Sequence, residues 1–453
     1  MRNDRKHCNR RRWGAARLGW AIASALAVTL LAATSYRSSA CPFCSAVSQT
    51  LSEEMTAMDT AAIARIVAGS ETDADAEFEI VSVLRGDKLI HPEQTVRVNY
   101  FGKAKPDQQF LLMGVDPPDL LWSSPLPVSA TAIDYIHSLT KLPKERLERI
   151  AFFLPYLEHP ESMLARDAYD EFAKTPYADL KGLKSQFDHA KLLEWIQNTS
   201  LPPDRRRMYL VMLGICGDPN DAELLERLLR SDDENQRGGL DAMIACYLTL
   251  RGASGLSLVD ELFLNNKKSQ YADTYAAIMA LRFHGTEGGV IDKERVLQSM
   301  RLILDRPELA DLVIPDLARW EDWTQIDKLS ELFKSADEKS SWVRVPVINY
   351  LRACPLPAAE TRLDELKEID PAAFKRATSF FPVPKASSDT TDSTFVPAAQ
   401  PAFKSAGLAL PPNRSLAVSV LSLASVTVGL AMWLTISGPS TPAWMAPVVR
   451  RWS

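Results

Sequence analysis

Residues 240–264 read LDAMIACYLTLRGASGLSLVDELFL, and most of the architecture turns on how they are interpreted. Leu240 to Leu250 is apolar enough for a buried helix, Gly252 interrupts it, and Val259, Leu262 and Phe263 return at helical spacing between Leu256 and Leu264. The reading is a helix pair, and one pair cannot bury both apolar stripes by itself. Similar pairs are expected on either side: Arg206 to Cys216 with Ala222 to Arg230 before it; then Tyr271 to Phe283 with Arg295 to Leu304, Leu309 to Trp320 with Ile326 to Phe333, and Trp342 to Ala353 with Thr361 to Lys367. First helices restart roughly every 30 to 38 residues, the spacing of two-helix solenoid repeats. Gly217, Gly252 and Gly285 each follow a first helix, where a left-handed residue after the last turn favours glycine.

With a degenerate start from Glu145 to Gln197, the array occupies residues 144–377 and resembles HEAT or HEAT-like repeats. Pro315 and Pro346 lie inside expected first helices, which the resemblance reads as the bent first helix of that family. Cys216, Cys246 and Cys354 fall on apolar helical stretches and read as small core residues, with Cys216 and Cys246 one repeat apart. Trp320, Trp323 and Trp342 concentrate at one repeat boundary and form a candidate binding surface, although tryptophan at helical spacing more often belongs to a core.

Residues 41–143 read as a smaller helix-plus-β region. Val47, Leu51, Met55 and Met58 make a helical stripe from Ser45 to Met58. The period then falls to two, in strands expected at Ala61 to Ala68, Glu77 to Leu84, Thr95 to Tyr100 and Gln109 to Val115. Phe78, Ile80, Ser82 and Leu84 are expected on one face. Cys41-x-x-Cys44, Phe78 to Gly86, Val96-Arg97-Val98 and Phe110 to Gly114 resemble netrin-like and metalloproteinase-inhibitor-like OB-fold modules. Such modules carry more cysteines than the two here, so the resemblance implies a small sheet or barrel-like fold and no inhibitor activity carries over.

Cys41-Pro42-Phe43-Cys44 is the compact chemical motif of the chain. At the start of the expected helix, its N-terminal partial charge could lower a thiol pKa. A redox site of the thioredoxin kind needs a preceding strand and a βαβ pattern, neither of which is present in the sequence pattern. Ser45 after Cys44 disfavours covalent haem, and zinc would need two further ligands. A structural disulfide between Cys41 and Cys44 is the leading reading, with redox exchange, metal binding or lipidation of Cys41 as alternatives.

The outer segments supply an address. Behind Arg10-Arg11-Arg12, the apolar run Trp20 to Ala33 and the small residues Ser38-Ser39-Ala40 make residues 1–40 an expected signal peptide. Residues 415–437 carry no charge, and at about 1.5 Å per residue they reach about 34 Å, enough to span a bilayer. Arg450 and Arg451 in residues 438–453 favour a cytoplasmic tail, so the body is expected outside, periplasmic or extracellular. Residues 378–414, rich in Pro, Ser and Thr, read as a disordered stalk. The whole is a multidomain α+β chain: a small β-sheet or OB-like barrel, an α-solenoid, a stalk and one transmembrane helix.

With 52 basic and 57 acidic residues the net charge is −5, and no basic stripe points to nucleic acid. Arg205-Arg206-Arg207 reads as a solvated helix face. His137, His159, His189 and His284 are scattered, and neither His-Glu-x-x-His nor Gly-x-Ser-x-Gly occurs, so no catalytic residue, cofactor or metal site is assigned. The expected activity is protein binding by an exported, membrane-anchored scaffold. The alternatives are a thiol-disulfide redox protein using Cys41 and Cys44, and a secreted inhibitor-like module.

Overall fold

The computed structural model describes residues 41–44, 48–103, 105 and 107–380. The expected signal, nearly all of the stalk, the 415–437 span and the basic tail lie outside the described residues. Six strands form one antiparallel sheet: β1 (Thr60–Ile66), β2 (Asp75–Arg85), β3 (Thr95–Asn99), β4 (Gln109–Val115), β5 (Leu121–Trp122) and β6 (Leu126–Val128). Their order is β3-β2-β1-β4-β5, with β6 also paired to β4. Val96 of β3 and Trp122 of β5, from opposite ends of that order, pack on the same small cluster around Ile80 and Ile90, so the sheet curls until it is nearly closed.

Strands β1 and β4 are covered on both faces. Phe110 and Leu112 point into the curl beside Phe78 and Val98, whereas Leu111 and Met113 point to the helices. That is why Gln109–Val115 reads as an unbroken apolar run rather than an alternation. Strand β2 corrects one expectation: its pairing with β1 slips between Ala61 and Ala62 and again between Ile63 and Ala64. Each slip leaves an extra β2 residue and reverses the facing of the residues beyond it. Phe78 and Ile80 therefore face the curl, Ser82 approaches His137 Nε2 at 3.3 Å, and Leu84 packs on the helix-side core.

The helices are α1 (Leu51–Ala57), ahead of the sheet, and α2 (Ala130–Leu139), α3 (Arg146–Ala151), α4 (Ser162–Ala173), α5 (Tyr177–Gly182) and α6 (His189–Gln197) after it. The series continues with α7 (Pro203–Cys216), α8 (Asp221–Leu229), α9 (Leu240–Arg251), α10 (Leu256–Val259), α11 (Tyr271–Phe283), α12 (Lys293–Arg301), α13 (Ile314–Arg319), α14 (Ile326–Ser335), α15 (Arg344–Ala353), α16 (Pro357–Ile369) and α17 (Pro371–Phe380). The last of these extends past the expected end of the array. Helix α7 packs on α9 and α9 on α11; farther along, α13 packs on α15, α15 on α17, and α14 on α16. One core runs through the helices and reaches Ile63 and Leu111 of the sheet, so sheet and helices share buried surface.

Several of the polar contacts between helices share a near-constant stride. Arg207 meets Asp241 at 2.8 Å, Arg237 meets Asp273 at 2.7 Å, Arg282 meets Asp316 at 2.7 Å and Arg362 meets Asp327 at 3.0 Å, across 34, 36, 34 and 35 residues. Tyr135 to Asp167 and His189 to Asp221 each span 32 residues. Asp221, Asp241, Asp273 and Asp316 sit in first turns of their helices, where a carboxylate also faces the positive end of the helix dipole.

Three details of the helical reading change. Of the expected left-handed glycines only Gly252 has positive φ, at +64°. Gly217 (φ −67°) and Gly285 serve close approach instead, since an added Cβ would lie 2.6 Å from the Leu213 carbonyl oxygen and 2.4 Å from the Trp320 ring. Pro315 and Pro346 do not kink a helix. Each stands in the first turn of α13 or α15, where its missing N–H costs no intrahelical bond, and a 3₁₀ turn (Ala310–Leu312 or Ser341–Val343) precedes it. The arginine triplet is not a solvated face: Arg205 pairs with Glu158 at 2.9 Å, Arg207 with Asp241, and Arg206 is 2% exposed.

Leu240–Leu264 is the one stretch among the described residues long and apolar enough to cross a membrane by length and composition, and 61% of its apolar window is buried inside the protein. Gly252 turns the chain within it, and a π-helical turn closes it at Asp260–Leu264.

Candidate functional site

The CPFC loop meets the helices at one place. Cys41 and Cys44 are joined by a disulfide, and the Cys44 amide donates to the Cys41 carbonyl at 3.2 Å, closing a tight turn. The amide of Cys41 donates to the carbonyl of Ala173 at the end of α4, at 3.1 Å. Cys41 is 4% exposed and Cys44 is half-buried. A sulfur held in this disulfide has no free thiol for lipidation. Helix α1 starts at Leu51 rather than at Ser45, so neither cysteine stands in its first turn.

Between the two cysteines, Phe43 turns into the helical core. Its ring meets Phe283 edge-on at 5.3 Å, and Phe283 meets Tyr177 at 5.1 Å in the same manner. Phe43 lines a small apolar pocket with Tyr177, Leu210, Val211, Cys246 and Phe283, enclosing about 200 Å³ including its open mouth. Helices α5, α7, α9 and α11 thus converge on one phenyl ring. Burial raises the Cys246 thiol well above its usual range, with Asp221 and Cys216 adding to the effect. Cys216, half-buried, is also raised, chiefly by desolvation. Both thiols are free, and Cys216 contributes to the raised Cys246 pKa.

Beside the pocket, His284 opens a π-helical turn, His284–Gly288. Its Nε2 donates to the Ala245 carbonyl at 3.0 Å, its Nδ1 has no partner, and burial pushes its pKa down to about 4. The ring is therefore neutral near pH 7.

A second polar centre ties α1 to the helices behind the sheet. Thr50 caps α1, accepting from the Glu53 amide at 3.3 Å while Glu53 Oε2 accepts from the Thr50 amide at 3.0 Å. The Leu51 amide donates to Asp167 Oδ1 at 2.7 Å, and the Tyr135 hydroxyl donates to Asp167 Oδ2 at 2.5 Å. Burial pushes Asp167 up to about 6 despite these bonds. Nearby, Glu171 pairs with Arg149 at 3.0 Å, and Glu53 pairs with Lys174. The arrangement joins α1, α2 and α4, and its groups are spent on one another and on the backbone.

The three tryptophans differ in burial and partners. Trp320 is half-buried over Gly285, and Trp323 packs its ring 5.2 Å from Tyr350. Trp342 is 47% exposed, its Nε1 donating to the Glu308 carbonyl at 3.3 Å. Tyr271, at the start of α11, is 55% exposed and stacks parallel to Tyr275 at 6.1 Å. Exposed aromatics thus stand at the start of α11 and just ahead of α15, and Tyr271 is inconspicuous in the sequence because a first-turn tyrosine looks like any helix-face residue.

Among the described residues no group of three or more His, Cys, Asp or Glu side chains is placed to hold a metal ion. No family model, curated protein or solved structure matches the chain.

Proposed function

We propose that this chain is an exported, membrane-anchored scaffold whose helices form an α-solenoid of HEAT-like units and bind a protein partner outside the cytoplasm. The observation that carries the reading is the stride of the polar contacts: pairs separated by 32 to 36 residues recur from Tyr135–Asp167 to Arg362–Asp327. Contacts recurring at one repeat's spacing support neighbouring helix pairs stacked in a quasi-linear array with a long continuous surface. Trp342 and Tyr271 supply exposed aromatic area of the kind that anchors protein interfaces. The basic-apolar-small order of residues 1–40 supports export, and the uncharged segment 415–437 with Arg450 and Arg451 behind it supports a retained anchor with the tail inside. The activity is binding rather than catalysis, with no cofactor and no nucleic-acid partner.

The experiment is site-specific photo-crosslinking in intact cells, with the probe at Trp342 or Tyr271 and, as control, at Glu365 on α16. Discrete adducts from the first two positions, absent from the third and competed away when unlabelled protein is overproduced, are expected. Equal, diffuse labelling at all three positions would overturn the reading.

A further inference from the structure

We propose that Tyr271, Asp311 and Trp342 form a surface site for a cationic side chain, guanidinium or ammonium, of the protein partner. That a protein carries the group rests on the scaffold reading; the preference for positive charge rests on the residues themselves. Asp311 and Trp342 are the middle residues of the 3₁₀ turns Ala310–Leu312 and Ser341–Val343, which pack on each other. The Trp342 indole N–H donates to the Glu308 carbonyl at 3.3 Å, which ties the ring to the chain just ahead of the earlier turn. The same N–H also acts on the Asp311 carboxylate, so ring and carboxylate are neighbours. Tyr271, at the start of α11, comes to the same place: burial first and Asp311 next raise its hydroxyl pKa. Tyr275 stacks parallel to Tyr271 and steadies that ring.

The ligand class follows from what Asp311 lacks. The residue is half-buried, and burial raises its carboxyl pKa, offset only by its own and the Leu312 backbone and by the Trp342 indole. Among the described residues no cationic group pairs with it. Arg282, which acts on Tyr271, is spent on Asp316 Oδ2 and the Leu312 carbonyl, both at 2.7 Å. A cation close by favours the charged form of a carboxylate, so binding one reverses the cost of burying Asp311.

The aromatic rings point to the same ligand. Trp342 and Tyr271 are 47% and 55% exposed, and electron-rich rings beside a carboxylate attract a cation together with it. An anion would meet Asp311 as a like charge, and an apolar group would strip water from it without supplying a counter-charge. Both rings stand open to solvent, which suits a group presented on a partner's chain rather than a small molecule enclosed in a cavity.

Full-length protein in detergent, labelled with fluorotryptophan, is titrated with N-acetyl-argininamide, N-acetyl-lysinamide, uncharged N-acetyl-citrullinamide and choline, and followed by fluorine NMR. The Trp342 resonance is assigned by its loss in Trp342→Phe. Both cationic amides are expected to shift it saturably, with citrullinamide about tenfold weaker, as loss of an ion pair joined to a cation–π contact implies. Asp311→Asn is expected to remove that preference, and Tyr271→Leu to weaken the cationic amides several-fold. Raising the salt concentration is expected to narrow the preference in the unmutated protein, a readout that depends on no variant folding. No shift with either cationic amide, equal shifts with citrullinamide, a preference that survives Asp311→Asn or high salt, or tighter binding of choline, the mark of a small-molecule site, would each overturn the proposal. The titration needs neither export nor a partner, so its failure leaves the crosslinking result untouched, and absent crosslinks leave a measured cation preference standing.

Discussion

Asp167→Asn isolates the polar centre that ties α1 to the helices behind the sheet. The wild-type carboxylate is 4% exposed and accepts two hydrogen bonds, from the Leu51 amide at 2.7 Å and the Tyr135 hydroxyl at 2.5 Å. Burial nonetheless lifts its pKa from 3.8 to about 6. A folded pKa above the unfolded one means that the native state holds the proton more tightly. The contribution of Asp167 is then intact below about pH 3.8 and declines as pH rises toward 6. At about 1.4 kcal/mol per decade, ionising this group costs the folded state about 3 kcal/mol by pH 7. Asparagine removes that slope, keeps a carbonyl acceptor, and fits the site less well than the protonated carboxyl by about 1 to 2 kcal/mol. The variant is therefore less stable than wild type by about 1 to 2 kcal/mol near pH 3.5 and more stable by about 1 to 2 kcal/mol at pH 7, a relative change of about 3 kcal/mol. Urea unfolding of both proteins across that range, followed by far-ultraviolet circular dichroism, measures it. A stability difference that is flat with pH, or that turns against the variant as pH rises, is incompatible with a buried carboxylate that holds its proton tightly.

Other substitutions test separate features. Arg206 donates to the carbonyls of Ile196, Asn235 and Gln236 at 3.0, 2.6 and 2.7 Å while almost fully buried, so Arg206→Met strands three acceptors. It should cost about 3 kcal/mol in urea unfolding, against about 1 kcal/mol for Arg207→Met at the more exposed pair with Asp241. Gly252→Ala forces a side chain into φ +64°, ψ −154° and should cost about 1 to 3 kcal/mol. Gly285→Ala drives a methyl group into the Trp320 ring and should both destabilise by about 1 to 3 kcal/mol and shift tryptophan fluorescence. Trp342→Ala, at an exposed position, should change stability by less than about 1 kcal/mol in the same unfolding assay.

The helices are legible in the sequence because apolar stripes recur where helices need neighbours. Tyr271–Phe283 matches its expected bounds, and Leu240–Arg251 differs from expectation by one residue. Strand β4 is legible for a similar reason, burial on both faces leaving no polar position to confuse it. The features that escape depend on contacts distant in sequence. The β2 slips depend on how β1 pairs, and nothing local to Phe78–Leu84 announces them. Arg206 looks like its two neighbours until the loop carbonyls at Asn235 and Gln236 come round to meet it. Asp167 is one acidic residue in an amphipathic helix until the Leu51 amide arrives from 116 residues away. The short β5 and β6 carry too few residues for a period to register. At the candidate site the cysteine pair is visible as a motif, whereas the destination of Phe43 is not, because its pocket is assembled from four separate helices.

The proposed topology, a body outside the cytoplasm and a tail within, is open to protease treatment of intact spheroplasts, with antibodies against an epitope in the helical region and another in the tail after residue 437. Degradation of the helical region is expected, with the tail fragment surviving until the membrane is opened. Loss of the tail epitope with a helical region that stays protected and yields only after lysis would contradict that topology.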